Sequence, residues 1–256
     1  MKTLLKTLMA AGVLTAAASV SAAPIINISY DPVNAEANFL AMLNGTTVTE
    51  NFDELGTNPV YDGSSNAVER TQNSWENAAT SFETAVGTFT LVTPGQDETS
   101  DFNVLNDHLM IESRKTGEDG REVLSSGDGD FWLDSNDAKV VTWTLGAPLS
   151  GHFNAFGFYL ADPADVSANL TLVFNDGTST AFDQVTFKQP NSTLAYVTVI
   201  SDKSIVGATL TFTNTTNNDG WGIDDVTVGN VPEPGTLLLM GLGLLGLGAA
   251  RRRNTK

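Results

Sequence analysis

Apolar and polar residues alternate with a period of two through most of this 256-residue chain. In KVVTWTL, which begins at Lys139, residues Val141, Trp143 and Leu145 fall on one face of a strand. Similar runs follow, with AYVTVI and VGATLTFTN as two separate strands, and WGIDDVTVG closes the series. Short strands at this close spacing are typical of an antiparallel sandwich. Residues 23–230 are therefore predicted to form one all-β domain, an antiparallel β-sandwich.

Two local patterns refine this prediction. NDGT at residues 175–178 separates two apolar runs and predicts a hairpin in which Gly177 has a positive φ. NAEANFLAML, from Asn34, instead has helical spacing and predicts one short N-terminal helix that ends near Gly45. Its predicted apolar positions are Ala37, Leu40, Ala41 and Leu43.

Both ends of the chain differ from this body. Residues 1–22 have two lysines, an apolar stretch and small residues before Ala22, as a secretory signal peptide does. At the other end, the apolar run 237–250 would form a hydrophobic helix of about 21 Å, shorter than the roughly 30 Å core of a bilayer. We therefore expect export of the body, followed by a temporary membrane stop.

The exported body is strongly acidic. From Ala23 to Asn230, 7 Lys and Arg stand against 29 Asp and Glu, a formal net charge of −22. Such a surface repels nucleic acid, so nucleic acid is excluded as a partner. The chain has no cysteine, which excludes disulfides, thiolate metal sites and cysteine nucleophiles.

A catalytic constellation is missing from the sequence. The sequence contains two histidines, His108 and His152, and no G-x-S-x-G nucleophile motif around any serine. Carboxylates are so numerous that many pairs would lie at glycosidase spacing by accident. We therefore predict a non-catalytic protein, and a surface polysaccharide hydrolase that uses a carboxylate pair is the alternative.

Oxygen ligands for a cation are concentrated in two stretches, residues 125–137 and 214–225. Calcium binds six to eight such oxygens. Asp224 and Asp225 lie inside a strand pattern rather than at a turn, and a buried carboxylate needs a partner. The alternation of side chains along the strand leaves open which of the two aspartates points inward, since a β-bulge would exchange them.

The tail VPEPGTLLLMGLGLLGLGAARRR resembles the PEP-CTERM sorting signal of Gram-negative bacteria. The resemblance covers residues 231–256 and rests on a short motif, an apolar run and an arginine cluster. It implies an exosortase partner that cleaves near the motif, transient anchoring in the inner membrane, and a place at the cell surface or in the extracellular matrix. The signal is also associated with exopolysaccharide and biofilm. Its key residues are Val231, Pro232, Glu233, Pro234, Arg251, Arg252 and Arg253.

The body contains short sequence segments that resemble segments of other proteins with this tail, namely TENFDEL, WLDSND and GWGIDDVTVG. IDDV is also similar to the last strand of jelly-roll carbohydrate-binding modules, which implies that the sandwich is jelly-roll-like and holds a structural calcium ion. The resemblance makes Asp224 or Asp225 a ligand, with Asp53 or Glu54 opposite. Trp132 and Trp221, beside acidic turns, are candidate exposed platforms for a glycan, whereas Trp143 is expected in the core.

Together these patterns predict a non-catalytic surface or matrix protein that binds polysaccharide and is stabilised by calcium. The hydrolase is one alternative. A membrane-retained adhesin, whose tail is never cleaved, is another.

Overall fold

A computed structural model describes residues 23–57, 76–94, 108–113, 131–135, 138–145, 153–163, 166–186, 190, 193–214 and 220–232. The predicted signal peptide and the tail beyond Pro232 lie outside these residues. Within the described ranges no helix is long and apolar enough to cross a membrane.

Strands make up most of the described chain, and all of their pairings are antiparallel. The elements are β1 (Ile25–Ser29), α1 (Pro32–Met42), β2 (Val48–Glu50), α2 (Asp53–Thr57), β3 (Asn77–Ala79), β4 (Ser81–Thr84), β5 (Gly87–Thr93), β6 (Leu109–Ser113), β7 (Phe131–Asp134), β8 (Val140–Leu145), β9 (Phe153–Ala161), β10 (Val166–Phe174), β11 (Ser179–Thr186), β12 (Leu194–Asn214) and β13 (Gly222–Gly229).

The strands form two layers that share β12. Its first part, residues 194–200, pairs with β9 and β1, and its second part, residues 205–214, pairs with β10 and β8. Layer A has the order β3-β6-β7-β13-β9-β12-β1, with β2 also paired to β13, and layer B has the order β11-β10-β12-β8-β5-β4. The predicted antiparallel sandwich is thus confirmed.

The two strands predicted at AYVTVI and VGATLTFTN are one strand of 21 residues, so that part of the prediction is wrong. Pairing continues up to Ile200 in layer A and resumes at Ile205 in layer B. The residues between them stay extended while the strand passes from one layer to the other. Such a passage leaves no turn signal in the sequence.

The main core lies between the layers. Val141, Trp143 and Leu145 of β8 are buried in it, as the alternation predicted. The Trp143 ring stacks on Phe89 with 5.2 Å between centroids and meets the edge of Phe156 at 5.3 Å. Aromatic contacts of this kind, made from both layers, hold the sandwich together.

A second, smaller core lies on the outer face of layer A under α1. Phe39 is buried there, and Ala35 and Leu43 pack against the same cluster. The helix thus buries the stripe i, i+4, i+8, whereas the predicted stripe contained Leu40, which is 43% exposed. Leu43 is the residue that the predicted and the observed stripes share.

The remaining local predictions have mixed outcomes. The NDGT hairpin is confirmed, since Val173 pairs with Ser179 and Gly177 has a φ of 79°. The helix α1 is confirmed but begins at Pro32, where proline suits the first helical positions. The second helix, α2, was not predicted.

Candidate functional site

Polar and aromatic side chains form a row across the outer face of layer A. Directly opposed residues of antiparallel neighbours point to the same face. The pairings Glu112–Trp132, Asp224–Tyr159, Tyr159–Tyr196 and Tyr196–Ser29 are of this kind. The row therefore runs through β6, β7, β13, β9, β12 and β1, and α1 covers part of it.

A bulge in β13 decides where the two neighbouring aspartates point. The pairing of β13 with β9 shifts between Asp224 and Thr227, and Asp225 has a φ of 47°. Ile223 and Val226 both lie in the main core, although they are three residues apart. Asp224 therefore points to the helix-covered face beside Tyr159 and is fully buried, while Asp225, within the bulge, is half-buried.

The helix is joined to this row by one short hydrogen bond. The Tyr159 hydroxyl donates to Oε2 of Glu36 at 2.6 Å. Burial raises the pKa of Tyr159 far above its ordinary value, and the bond to Glu36 and the charges of Asp225 and Asp224 raise it further. Burial likewise raises the pKa of Tyr196, whose ring meets Tyr159 edge-on at 5.1 Å.

These shifts predict a loss of stability in alkali. A tyrosine whose pKa is raised by folding stabilises the fold fully below its ordinary pKa of 10.0. Above that pH the unfolded chain releases protons that the folded chain keeps, so the free energy of unfolding falls. We expect the urea midpoint to drop above pH 10 and the Tyr159→Phe/Tyr196→Phe variant to drop less steeply. The exposed Tyr30→Phe control should behave as the wild type, and equal slopes in all three would contradict this.

The sequence predicts Asp224 or Asp225 as a calcium ligand with Asp53 or Glu54 opposite, and the structure places these two pairs on different elements, β13 and α2. Asp53 and Glu54 lie on α2, which packs through Leu55 against the main core. Asp53 accepts a hydrogen bond from Asn51 at 2.8 Å, and Glu54 is exposed. Asp224 points to the opposite face of layer A. Among the residues described, no three acidic or histidine side chains form a group that could hold a metal ion.

The two predicted glycan platforms are buried. Trp132 lies in the small core under α1, and Trp221 lies in the main core with its ring 4.4 Å from Phe212. Both have an exposure of 0%, so the prediction of exposed platforms is wrong. Acidic neighbours place a residue near a turn, but strand parity decides which way its side chain points.

An open polar groove lies where α1 crosses β1 and β12, and sequence reasoning missed it. Its volume is about 260 Å³. Five of the nine residues that line it have amide or hydroxyl side chains, one has a carboxylate, and three are apolar. The lining residues are Asn27, Ser29, Asp31, Asn34, Ala35, Asn38, Met42, Thr198 and Ile200.

The sequence holds one signal for this polar groove. Asn34, Asn38 and Met42 are four residues apart and so share one side of α1. The Asn34 amide donates to Oδ2 of Asp31 at 2.8 Å. In the described part of the chain, no hydrogen bond engages the side chains of Asn27 and Asn38, and both are exposed. These two amides are free to meet a ligand.

Residues 230–253 match a family model described as the PEP-CTERM protein-sorting motif. This chain carries a PEP-CTERM sorting motif. The motif indicates an exported protein that an exosortase sorts to the cell surface. Glu233, Pro234 and the arginines Arg251, Arg252 and Arg253 lie outside the described residues.

The start of the motif is fixed to the body of the chain. The Val231 N–H donates to Oδ1 of Asn154 at 2.7 Å, and the Asn154 amide donates to the Val231 carbonyl at 2.9 Å. Val231 also packs against the small core under α1. The tail therefore leaves the domain from a defined point beside that core.

Other comparisons of this chain are weak. No curated protein sequence matches it. Among solved structures, the enzymatically active domain of bacteriophage CBA120 tailspike protein 4 is 18% identical, with a TM-score of 0.33, and the match covers 55% of this chain and 19% of that one. The C-terminal family 22 carbohydrate binding module of Clostridium thermocellum Xyn10B is 11% identical, with a TM-score of 0.29, and the match covers 49% of this chain and 83% of that module. Scores this low carry no inference about function.

Proposed function

We propose that this protein binds an extracellular polysaccharide through the polar groove, without catalysis, at the cell surface or in the exopolysaccharide matrix of a biofilm. The lining of the groove is the observation that carries the proposal. Sugar hydroxyls both donate and accept hydrogen bonds, and an asparagine side chain offers two donors and an acceptor. Asn27, Asn34 and Asn38 bring three such groups to one groove.

The size and shape of the groove favour part of a polymer as the ligand. Its volume of about 260 Å³ lies just below the range of sites for drug-sized molecules, roughly 300 to 1,000 Å³. It is open to solvent, so a chain bound there has room to continue beyond it. Met42 and Ile200 supply an apolar end against which the C–H face of a sugar ring can pack.

The charge of the groove favours binding over hydrolysis. A glycosidase acts through two carboxyl groups on either side of the scissile bond. The groove has one carboxylate, Asp31, which is already hydrogen-bonded to Asn34. Binding is therefore the better proposal for this groove than the hydrolase alternative.

Substituting the free amides is expected to weaken polysaccharide binding. Each lost hydrogen bond costs about 0.5 to 1.5 kcal/mol. Since 1.4 kcal/mol is a factor of ten, the Asn27→Ala/Asn38→Ala variant should raise the Kd by roughly 5- to 140-fold. Binding of the full-length chain in detergent would be measured on an array of bacterial exopolysaccharides. Both residues are exposed, so the melting temperature should not change.

An exposed asparagine outside the groove, Asn44, gives the matched control Asn44→Ala. No binding by the wild type, or equal binding by both variants, would contradict the proposal. Release of new reducing ends from a bound polysaccharide would instead favour the hydrolase.

Calcium is a separate proposal, and it now rests on the adjacent Asp224 and Asp225. Asp224 is fully buried and Asp225 half-buried at the bulge, so an ion there would take most of its ligands from backbone carbonyls and water. Ligand binding raises stability only when it favours the folded state. We expect millimolar calcium to raise the melting temperature, a chelator to reverse the change, and Asp224→Asn/Asp225→Asn to abolish it. A calcium-independent wild type would refute the proposal.

The tail is proposed to act as a temporary anchor. Residues 237–250 are apolar, and Arg251, Arg252 and Arg253 would stay on the cytoplasmic side. That topology would hold Pro232, Glu233 and Pro234 at the outer surface of the inner membrane, where an exosortase can cleave. The mass of the native C-terminus distinguishes this protein from an adhesin that keeps its tail.

A further inference from the structure

The first and last described segments of the chain meet at one end of layer A. Ile25 pairs with Ile200, Ile200 with Ala155, and Ala155 with Gly229. These pairings form one row across β1, β12, β9 and β13. The predicted mature N-terminus and the start of the tail therefore lie at the same end of the domain.

The C-terminal end of α1 lies at this end too. The Asn44 N–H donates to the Asn230 carbonyl at 2.7 Å. Leu43 approaches Gly229 so closely that a Cβ there would lie 3.1 Å from its methyl carbons. Met42 and Ile200 line the same end of the polar groove. Helix, first strand and tail are thus held together at one place.

This end carries no charged side chain over three segments. Residues 23–30, 37–49 and 226–232 contain no Asp, Glu, Lys, Arg or His, in a body whose net charge is −22. Along β12 the first charged residues beyond it are Asp202 and Lys203. We name the parts of these segments nearest to that row, residues 23–26, 40–49 and 228–232, the uncharged end.

The uncharged end also exposes large apolar side chains. Ile25 is 62% exposed, Leu40 43% and Met42 41%. Leu40 follows the buried Phe39 on α1 and lies partly exposed beside the buried stripe. Amphipathic helices that lie on a bilayer bury their apolar face to a depth of about 5 to 10 Å, which sets the depth that exposed side chains on α1 could reach.

The tail sets how far the uncharged end can be from a membrane. Four residues, 233–236, lie between Pro232, the last described residue, and Leu237, where the apolar run begins. The five Cα–Cα steps from Pro232 to Leu237 span at most about 18 Å. Once the apolar run is inserted, the uncharged end must lie within that distance of the bilayer.

We propose that the uncharged end is a membrane-docking face, and that Ile25, Leu40 and Met42 contact the outer leaflet of the inner membrane while the tail is inserted. The inference rests on the proposed insertion of the tail. An acidic body is repelled by an anionic lipid surface, so an uncharged face is the one that can approach it. Docking would orient the domain and hold the sorting motif at the level of the lipid headgroups.

Single cysteines test this directly, because the chain has none of its own. The full-length variants Leu40→Cys, Pro190→Cys and Leu244→Cys would each carry a small fluorophore. They would be reconstituted in vesicles of phosphatidylethanolamine and phosphatidylglycerol, with and without brominated lipid as a quencher. Pro190 is exposed and provides the distant control. It precedes Leu194, the first residue of β12, which lies about 20 Å along the strand from Ile200.

We expect brominated lipid to quench the labels at positions 244 and 40 but not the label at 190. Quenching at 244 without quenching at 40 would overturn the docking face and leave tail insertion standing. No quenching at 244 would overturn both proposals. Quenching at 190 as well would overturn the proposed orientation. A shift in the fluorescence of the label at 40 that does not depend on lipid and grows with protein concentration would mean that a second copy of the chain covers this face instead.

Discussion

Trp143→Ala is expected to lower the free energy of unfolding by about 3 to 5 kcal/mol, the usual cost of removing a large buried aromatic side chain. Trp143 is fully buried and lies at the centre of the main core. Its ring stacks on Phe89 of layer B and meets Phe156 and Phe158 of layer A edge-on. Alanine would leave a cavity between the two layers, and strands on both sides limit how far it can close. Urea denaturation at neutral pH measures the loss.

The matched control is an aromatic residue with little burial. Tyr30 is 43% exposed, so Tyr30→Ala should change the free energy of unfolding far less. A loss below about 1.5 kcal/mol for Trp143→Ala, the size of a minor core change such as isoleucine to valine, would show that the two layers do not pack through this ring. Equal losses in the two variants would show the same.

Gly157→Val is expected to destabilise the fold by about 1 to 3 kcal/mol, as overpacking of a core does, and to weaken ligand binding in the groove as well. A Cβ at position 157 would lie 2.7 Å from the Tyr196 hydroxyl and 3.0 Å from a ring carbon of Phe39. Tyr196 is fully buried and cannot swing away, so the strain falls on Phe39 and the helix that carries it. Displacing α1 would move one wall of the groove.

A second glycine in a strand provides the control. At Gly207 the nearest atom to a new Cβ is the Leu145 carbonyl oxygen at 3.4 Å, an ordinary contact. Gly207→Ala should therefore fold and bind as the wild type does. Polysaccharide binding and urea midpoints are measured on both variants. If Gly157→Val kept wild-type stability and binding, the close packing of α1 on layer A would be refuted.

The strands and the main core could be predicted because they follow from local alternation. Val141, Trp143 and Leu145 show this, since a period of two fixes a strand and its buried face together. The hairpin at Gly177 was equally local. The strand β12 was not, because its change of layer depends on partners more than 30 residues away along the chain.

The candidate site was harder to predict. Asp224 and Asp225 could be singled out as carboxylates in a strand, but the bulge that turns Asp224 toward Tyr159 is a property of the pairing with β9. The prediction that Trp132 and Trp221 are exposed was wrong for a related reason, since acidic neighbours do not indicate which face of a strand is buried. The polar groove joins residues of α1 with residues of β12 more than 150 positions later.

The sequence by itself determined the sorting signal and the antiparallel β-sandwich architecture of this protein. The sorting motif is a contiguous signal, recognised as a short segment, and strand periodicity is equally local. Tertiary structure alone decided the surfaces, namely the polar groove, the buried row beside Tyr159 and the uncharged end where the tail leaves. Each of these surfaces exists because the two-layer packing brings distant segments to one place, and no local pattern encodes that proximity.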